Sequence, residues 1–473
     1  MEVGVMLYIK PIRDSSKQWE MTMHYAARGC TSFFTIAALT LLLPLAASSA
    51  EGTWPQFRGP NANPFAEDNP DLPETWSTTE NVAWVTDIPG LGWSGPVVWG
   101  NKVFLTTVGA TGDFERPRDG LYLPFGRKTP PDVEHSWYVY CIELDSGEVL
   151  WRRLVNQEKP RFPRHPKNTY ASETPATDGE RVYVLFGDLM LLALDMEGNE
   201  VWRQPIEYKK NKYDYGAAAS PIVHDGQVIM VYDNEEASYI ASFDAETGKQ
   251  NWRTEREEIS SWATPYVWEN ELRTEIVTNG KNRVRSYDLS GKLLWEFDGR
   301  MSWAVIAQPF SSHGLLYVNS GYFGDKHRPV YAVRPGASGD ISLHENETHN
   351  EFIAWYQPAA GNYNTSPLVY GDFYYSLLDL GFLECYDALT GEQEYGRQKI
   401  SPKRRASFTA SPWAYNGKIF CLSEQGETFV IEAGPEFKVL HQNSLEEMCM
   451  SSPAILDDSI IIRTISKLYR IKK

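Results

Sequence analysis

The chain has 473 residues, and its 16 Trp, 26 Tyr and 20 Phe supply enough large apolar surface to exclude a disordered protein. A net charge of −17 removes the basic face with which a nucleic-acid binder displaces phosphate counterions. The one dense basic run, Lys403-Arg404-Arg405, is short and isolated and reads as a solvated loop.

The first element from the N-terminus is the apolar run Phe33–Leu45, preceded by Arg28 and followed by Ala46-Ala47-Ser48-Ser49-Ala50. A short apolar stretch with small residues behind it predicts a secretory signal over residues 1–50, cleaved after Ala50. A retained signal anchor is the rival reading. The long region before the run places an alternative start at Met21 or Met23. With no Cys after the small residues, lipoprotein processing has no acceptor thiol. The expectation is an exported, periplasmic, monomeric protein without a membrane span once the signal is gone.

Residues 51–80 are expected to form a latch, with Trp54-Pro-Gln-Phe-Arg-Gly-Pro-Asn61 wrapping the outside of the body. Beyond them one phrase repeats to the C-terminus. A small or polar residue and a Pro open each statement, at Gly95-Pro96, Thr174-Pro175, Ser220-Pro221, Thr264-Pro265, Gln308-Pro309, Ser366-Pro367, Ser411-Pro412 and Ser452-Pro453. A strand and a tight turn follow, and then a Trp four residues after the turn Gly, as in Gly147…Trp151, Gly198…Trp202, Gly248…Trp252 and Gly291…Trp295. Gly supplies φ > 0 for the turn, and the Trp lands at a fixed place on the next strand to pack against a neighbour. Spacing of roughly 40 to 60 residues and the Pro starts fit four-stranded propeller blades rather than helical solenoids. Eight starts predict an all-β fold, a single eight-bladed β-propeller of four-stranded antiparallel blades over residues 81–473.

Three repeats are irregular. Blade five carries an insertion after Tyr331-Ala-Val-Arg-Pro-Gly336 through Asn350, blade six replaces Trp by Tyr395, and blade seven has no Trp at Ile431-Glu-Ala-Gly434. The last repeat ends at Leu468-Tyr469-Arg470-Ile471 without an outer strand, so Asn81–Ile88 is expected to complete blade eight and close the ring. Cys141, Cys385, Cys421 and Cys449 form no CxxC or vicinal pair and read as isolated buried thiols, with a Cys421–Cys449 bridge as the alternative.

The Asp-x-x-Thr-Gly-x-x-x-Trp phrase, visible best at 241–252 and shortened at 193–202, resembles the tryptophan-docking repeat of pyrroloquinoline-quinone (PQQ) dehydrogenases. The non-enzymatic outer-membrane assembly propellers of the BamB type share that repeat. Lys167-Asn-Thr-Tyr-Ala-Ser-Glu-Thr-Pro175, Trp262-Ala-Thr-Pro265 and Ser411-Pro-Trp-Ala-Tyr-Asn-Gly417 are closer still to a group of exported propellers. The resemblance covers nearly everything after residue 53 and implies fold more strongly than function.

A quinoprotein alcohol dehydrogenase implies a vicinal Cys-Cys disulfide, calcium ligands and an Asp base. The sequence has no Cys-Cys, so no catalytic position is carried across. Soluble glucose-dehydrogenase sites need no such disulfide but resemble a six-bladed ring. The nine His show no HxH or HExxH spacing, and His135 and His165 read as solvated loop residues. Glu446-Glu447 reads as a surface turn. No metal site and no cofactor is therefore expected; PQQ with calcium belongs only to the alternative reading.

The residues ahead of each Pro start lie on connections that lead into the inner strands, which should gather them around one mouth of the channel. These are Lys167, Asn168, Tyr170 and Glu173; Tyr213 and Tyr215; Trp262; Trp303; Tyr363 and Asn364; Phe408; and Met448. Aromatics interleaved with Asn, Lys and Glu suit a site that stacks a flat or carbohydrate-like ligand, while plugging of the channel is the structural alternative. The long loop Ala110–His135, with Phe114, Tyr122, Leu123 and Phe125, is a second candidate surface. The functional expectation is a binding or scaffolding module for an envelope protein or polysaccharide, without catalytic residues; the alternative is a PQQ- and calcium-dependent dehydrogenase of alcohols or sugars.

Overall fold

The computed structural model describes residues 52–112, 115–120, 129–402 and 405–473. The proposed signal, Phe114, Tyr122, Leu123, Phe125 and the Lys403-Arg404 pair lie outside the described residues.

Eight antiparallel sheets, one for each Pro start, form the blades of a propeller. Every inner strand begins at the residue after its Pro: Val97–Trp99, Ala176–Thr177, Ile222–His224, Tyr266–Glu269, Phe310–Ser312, Leu368–Tyr370, Trp413–Tyr415 and Ala454–Ile455. Pro is tolerated here because it precedes the first ladder position of an edge strand and so removes no sheet hydrogen bond. Closure follows the expectation, with Val82–Asp87 pairing antiparallel with Lys467–Lys472 as the outer strand of blade eight.

Trp-on-Gly contacts hold the seams between blades. The Trp84 indole donates to the Leu144 carbonyl at 2.7 Å, Trp151 to Met196 at 3.0 Å, and Trp202, Trp252 and Trp355 to Ala245, Leu289 and Ala388 at 2.9 Å each. Each ring lies against the turn glycine of the following blade; a Cβ on Gly248 would sit 2.5 Å from Trp202. Only Gly fits there, because the position also has φ 71°.

Irregular repeats are repaired individually. The Trp295 indole donates to Glu275 Oε2 of its own blade at 2.6 Å. The blade-five insertion adds Gly339–Asp340 as a parallel edge strand beside Trp295–Glu296. In blade six the Tyr395 ring meets Phe437 edge-on at 5.8 Å. Blade seven borrows Trp76 from the N-terminal segment, which stacks on Phe420 at 6.1 Å, while its backbone N–H donates to Asn443 Oδ1 at 3.1 Å.

The N-terminal segment does not wrap the outside. Trp54 pairs with Val98 of blade one, Pro55 accepts from Thr177 of blade two, and Arg58 donates to the Pro367 carbonyl of blade six. Asn63 then exchanges hydrogen bonds with Val369, and Ala66 donates to Ala414 of blade seven. Blades two and six face each other across an eight-membered ring, so the chain crosses one end of the channel. Arg58 is buried above Phe310, and burial lowers its guanidinium pKa to about 9.

All four described cysteines are free and buried, so Cys421 and Cys449 do not bridge. His135 is no solvated loop residue: it opens a strand, is fully buried, and contacts the Val133 carbonyl through Nδ1 at 2.7 Å. Glu447 receives the hydroxyls of Thr464 and Ser466. No helix among the described residues is long and apolar enough to cross a membrane.

Candidate functional site at the channel mouth

At the opposite end from the N-terminal crossing, the connections between blades surround a cavity of about 210 Å³. Phe57, from the crossing segment, reaches it from the far side as a floor. Lys167, Asn168, Tyr215, Trp262, Tyr363 and Asn364 line it, as the sequence pattern places them. Tyr213 and Trp303 stand just outside, on the same aromatic cluster.

The remaining expected residues go elsewhere. Tyr170 has φ 66°, packs between Trp137 and Phe162, and donates its hydroxyl to the Phe162 carbonyl at 2.8 Å. Glu173 lies behind the cavity wall, accepting the Gly187 N–H at 2.9 Å, and burial raises its carboxyl pKa to about 8. Phe408 is fully buried against Phe429. Met450, not Met448, faces the cavity.

One side of the mouth is aromatic. Tyr213 meets Trp303 at 5.7 Å and 81°, Trp303 meets Tyr322 at 5.0 Å and 68°, and Tyr322 meets Tyr363 at 5.2 Å and 83°. Edge-to-face contacts are the favoured quadrupole geometry for such pairs. Tyr213 remains 44% exposed. Its φ of 56° and the matching 56° of Asp214 are sparsely populated for non-Gly residues and cost about 1–3 kcal/mol each. Asp325 fixes the Trp303 backbone, accepting the Ser302 hydroxyl at 2.6 Å and the Trp303 N–H at 3.1 Å. Tyr322 escaped the sequence reading because it lies inside the blade-five hairpin; its signal was the Tyr322-Phe323 pair between Gly321 and Gly324.

The other side is polar, and its charges are paired. Glu424, with a fully buried side chain, accepts Lys167 Nζ at 2.5 Å, the Thr409 hydroxyl at 2.7 Å and the Gly120 N–H at 2.6 Å. Gly120 belongs to the long first-blade loop, which also receives Arg164 on the Glu115 carbonyl at 2.7 Å and Gln425 on Asp119 at 2.7 Å. Its described part is thus tied to blade seven and to the connection between blades one and two. Burial raises Asp379, near Lys167, to about 6.

Below the mouth the residues preceding the prolines form a belt that the sequence reading treated as punctuation. Gly95 N donates to Thr174 Oγ1 at 2.8 Å, Thr174 N to Ser220 Oγ at 2.9 Å and Ser220 N to Thr264 Oγ1 at 3.0 Å. Gln308 N to Ser366, Ser366 N to Ser411 and Ser411 N to Ser452 continue it, each at 3.0 Å. Each blade donates to the hydroxyl of the next, and the two gaps fall where the belt residue is Gln308 or Gly95. Gln308 Nε2 spans the first to the Pro265 carbonyl at 3.1 Å, and Ser451 Oγ the second to Ser94 at 3.0 Å.

No three His, Cys, Asp or Glu side chains converge as a metal-ligating group among the described residues.

The family described as outer membrane protein assembly factor BamB matches residues 135–393. BamB from Moraxella catarrhalis superposes with a TM-score of 0.54 at 10% identity, covering 82% of this chain and 99% of its own. Quinohemoprotein alcohol dehydrogenase from Comamonas testosteroni superposes with a TM-score of 0.57 at 13% identity, covering 89% and 80%. At such identities both likenesses speak for the fold alone. No curated protein matches the sequence.

Proposed function

The chain belongs to the family described as outer membrane protein assembly factor BamB, and from that premise we propose that it is an exported, monomeric propeller that binds a partner in the cell envelope through its channel mouth. It acts in this reading as a binding or scaffolding module, without catalytic residues or a cofactor of its own. The supporting observation is the mouth itself: a floored cavity rimmed by an aromatic row whose Tyr213 is 44% exposed. Tyr170 and Phe408, by contrast, are buried in the packing of the blades.

The test is a photo-crosslinking residue placed at Tyr213 and, in a second strain, at Phe65 on the opposite end of the ring. Capture of a defined envelope component from position 213 but not from 65 supports the reading. Equal capture from both ends, or none from 213, refutes it. Saturable PQQ binding in calcium with dye reduction by alcohols or sugars would instead favour the dehydrogenase alternative.

A further inference from the structure

We infer that the mouth and the cavity beneath it form a binding site for a neutral carbohydrate chain, one sugar ring entering the cavity and the following rings lying on the aromatic row. This deepens the reading of the mouth as the binding face and rests on it.

The belt carries the inference. Thr174, Ser220, Thr264, Ser366, Ser411 and Ser452, whose hydroxyls form the belt, all line the cavity. Each accepts a backbone N–H, and among the described residues none of the six donates its proton to a protein acceptor. Five of the six residues are less than one-tenth exposed. Buried donors need partners, so the cavity presents a ring of O–H groups at one level waiting for acceptor oxygens. Asn364, on the same wall, adds an amide with both donor and acceptor capacity.

Charge decides which oxygen-rich ligand fits. Lys167 is neutralised by Glu424, and the Lys212 ammonium lies over the Tyr213 and Trp303 rings at 5.9 and 5.8 Å. Among the described residues that line the cavity Lys167 is the one Lys or Arg, whereas hydroxyl donors and an amide match the alternating donors and acceptors of a sugar. The apolar partners also match, since Tyr213, 44% exposed, and the half-buried Trp303 and Tyr363 stand on the row, where the C–H face of a pyranose can pack. Size agrees: about 210 Å³ lies below the roughly 300–1,000 Å³ that encloses a drug-sized ligand, leaving most of an oligomer outside on the row.

The experiment is calorimetric titration of the purified protein with cellohexaose, maltohexaose and hexa-N-acetylchitohexaose, with an acidic hexapeptide as the contrasting probe. Saturable binding of at least one hexasaccharide is expected. Trp303→Ala and Tyr213→Ala should each weaken it about tenfold, Trp303→Phe should restore most of it, and Phe65→Ala on the far end should leave it unchanged. Far-UV circular dichroism and melting of each variant report folding separately. Failure of all three sugars to bind, preference for the peptide, or equal binding by wild type and Trp303→Ala overturns the inference. Crosslinking from position 213 can still succeed in that case, so this failure is distinguishable from failure of the mouth as a binding face.

Discussion

Substituting Gly248 and Trp202 singly and together tests the seam between blades two and three. Gly248→Ala forces an L-residue into φ 71°, which costs about 1–2 kcal/mol, and puts a Cβ 2.5 Å from the Trp202 ring, which adds about 1–3 kcal/mol of overpacking. Trp202→Ala removes a buried ring and the 2.9 Å bond to Ala245, at about 3–5 kcal/mol. In the double variant the ring is gone, so the added methyl meets only the backbone term. The two changes should therefore combine to about 1–3 kcal/mol less than their sum. Urea unfolding followed by far-UV circular dichroism measures all four corners of the cycle. Additivity within error would show that the glycine is required for its turn alone, and would refute ring docking as the reason for the fixed Gly-to-Trp spacing.

Burial raises Glu173 to about 8 from 4.5, so the native state holds a proton that the unfolded chain releases. Its contribution to stability is present below about pH 4.5 and is lost as pH rises through 8; Glu173→Gln should flatten that fall in urea midpoints taken from pH 5 to 9. Ser411→Ala deprives the Ser366 N–H of its acceptor and should cost about 1–3 kcal/mol, whereas Ser411→Thr keeps the bond and should cost less in the same assay. Trp76→Ala, although outside every repeat, should cost about 3–5 kcal/mol, read as a lowered melting temperature. Cys141, Cys385, Cys421 and Cys449 are buried, and burial pushes their thiols up, Cys141 and Cys385 to about 12; none should react with a thiol-specific dye until urea unfolds the protein.

The ring was legible because its determinants are local. A Pro, a turn Gly and a Trp act within a dozen residues of one another, and their repetition gave blade number and closure. The repairs were not legible, since they join distant segments: nothing in Glu74-Thr75-Trp76 says that this Trp stacks on Phe420 of blade seven. The mouth was half legible for a related reason. Position along a connection shows which residues approach the channel, but not which way they turn. Tyr170 and Tyr213 both adopt left-handed backbone, yet one ring packs between Trp137 and Phe162 while the other stands 44% exposed. Met448 and Met450 differ only by where the connection bends. The belt was visible as a residue class ahead of each Pro, but its meaning needs the ring closed, because every hydroxyl serves the blade before it.

Under the proposed reading, the contacts that hold the ring and the groups offered to a ligand coincide only at the belt. The rim is held by Trp rings on turn glycines, the axis by backbone N–H groups on belt hydroxyls, and the far end by the crossing segment from Trp54 to Ala66. None of these contacts uses the Tyr213 ring or the Asn364 amide. A belt hydroxyl takes the N–H of the neighbouring blade and, under the proposed reading, gives its proton to the ligand. Belt substitutions should therefore disturb fold and ligand together, and aromatic-row substitutions should disturb the ligand alone. That division makes Tyr213, rather than any belt serine, the position at which a binding defect can be read without a folding defect beneath it.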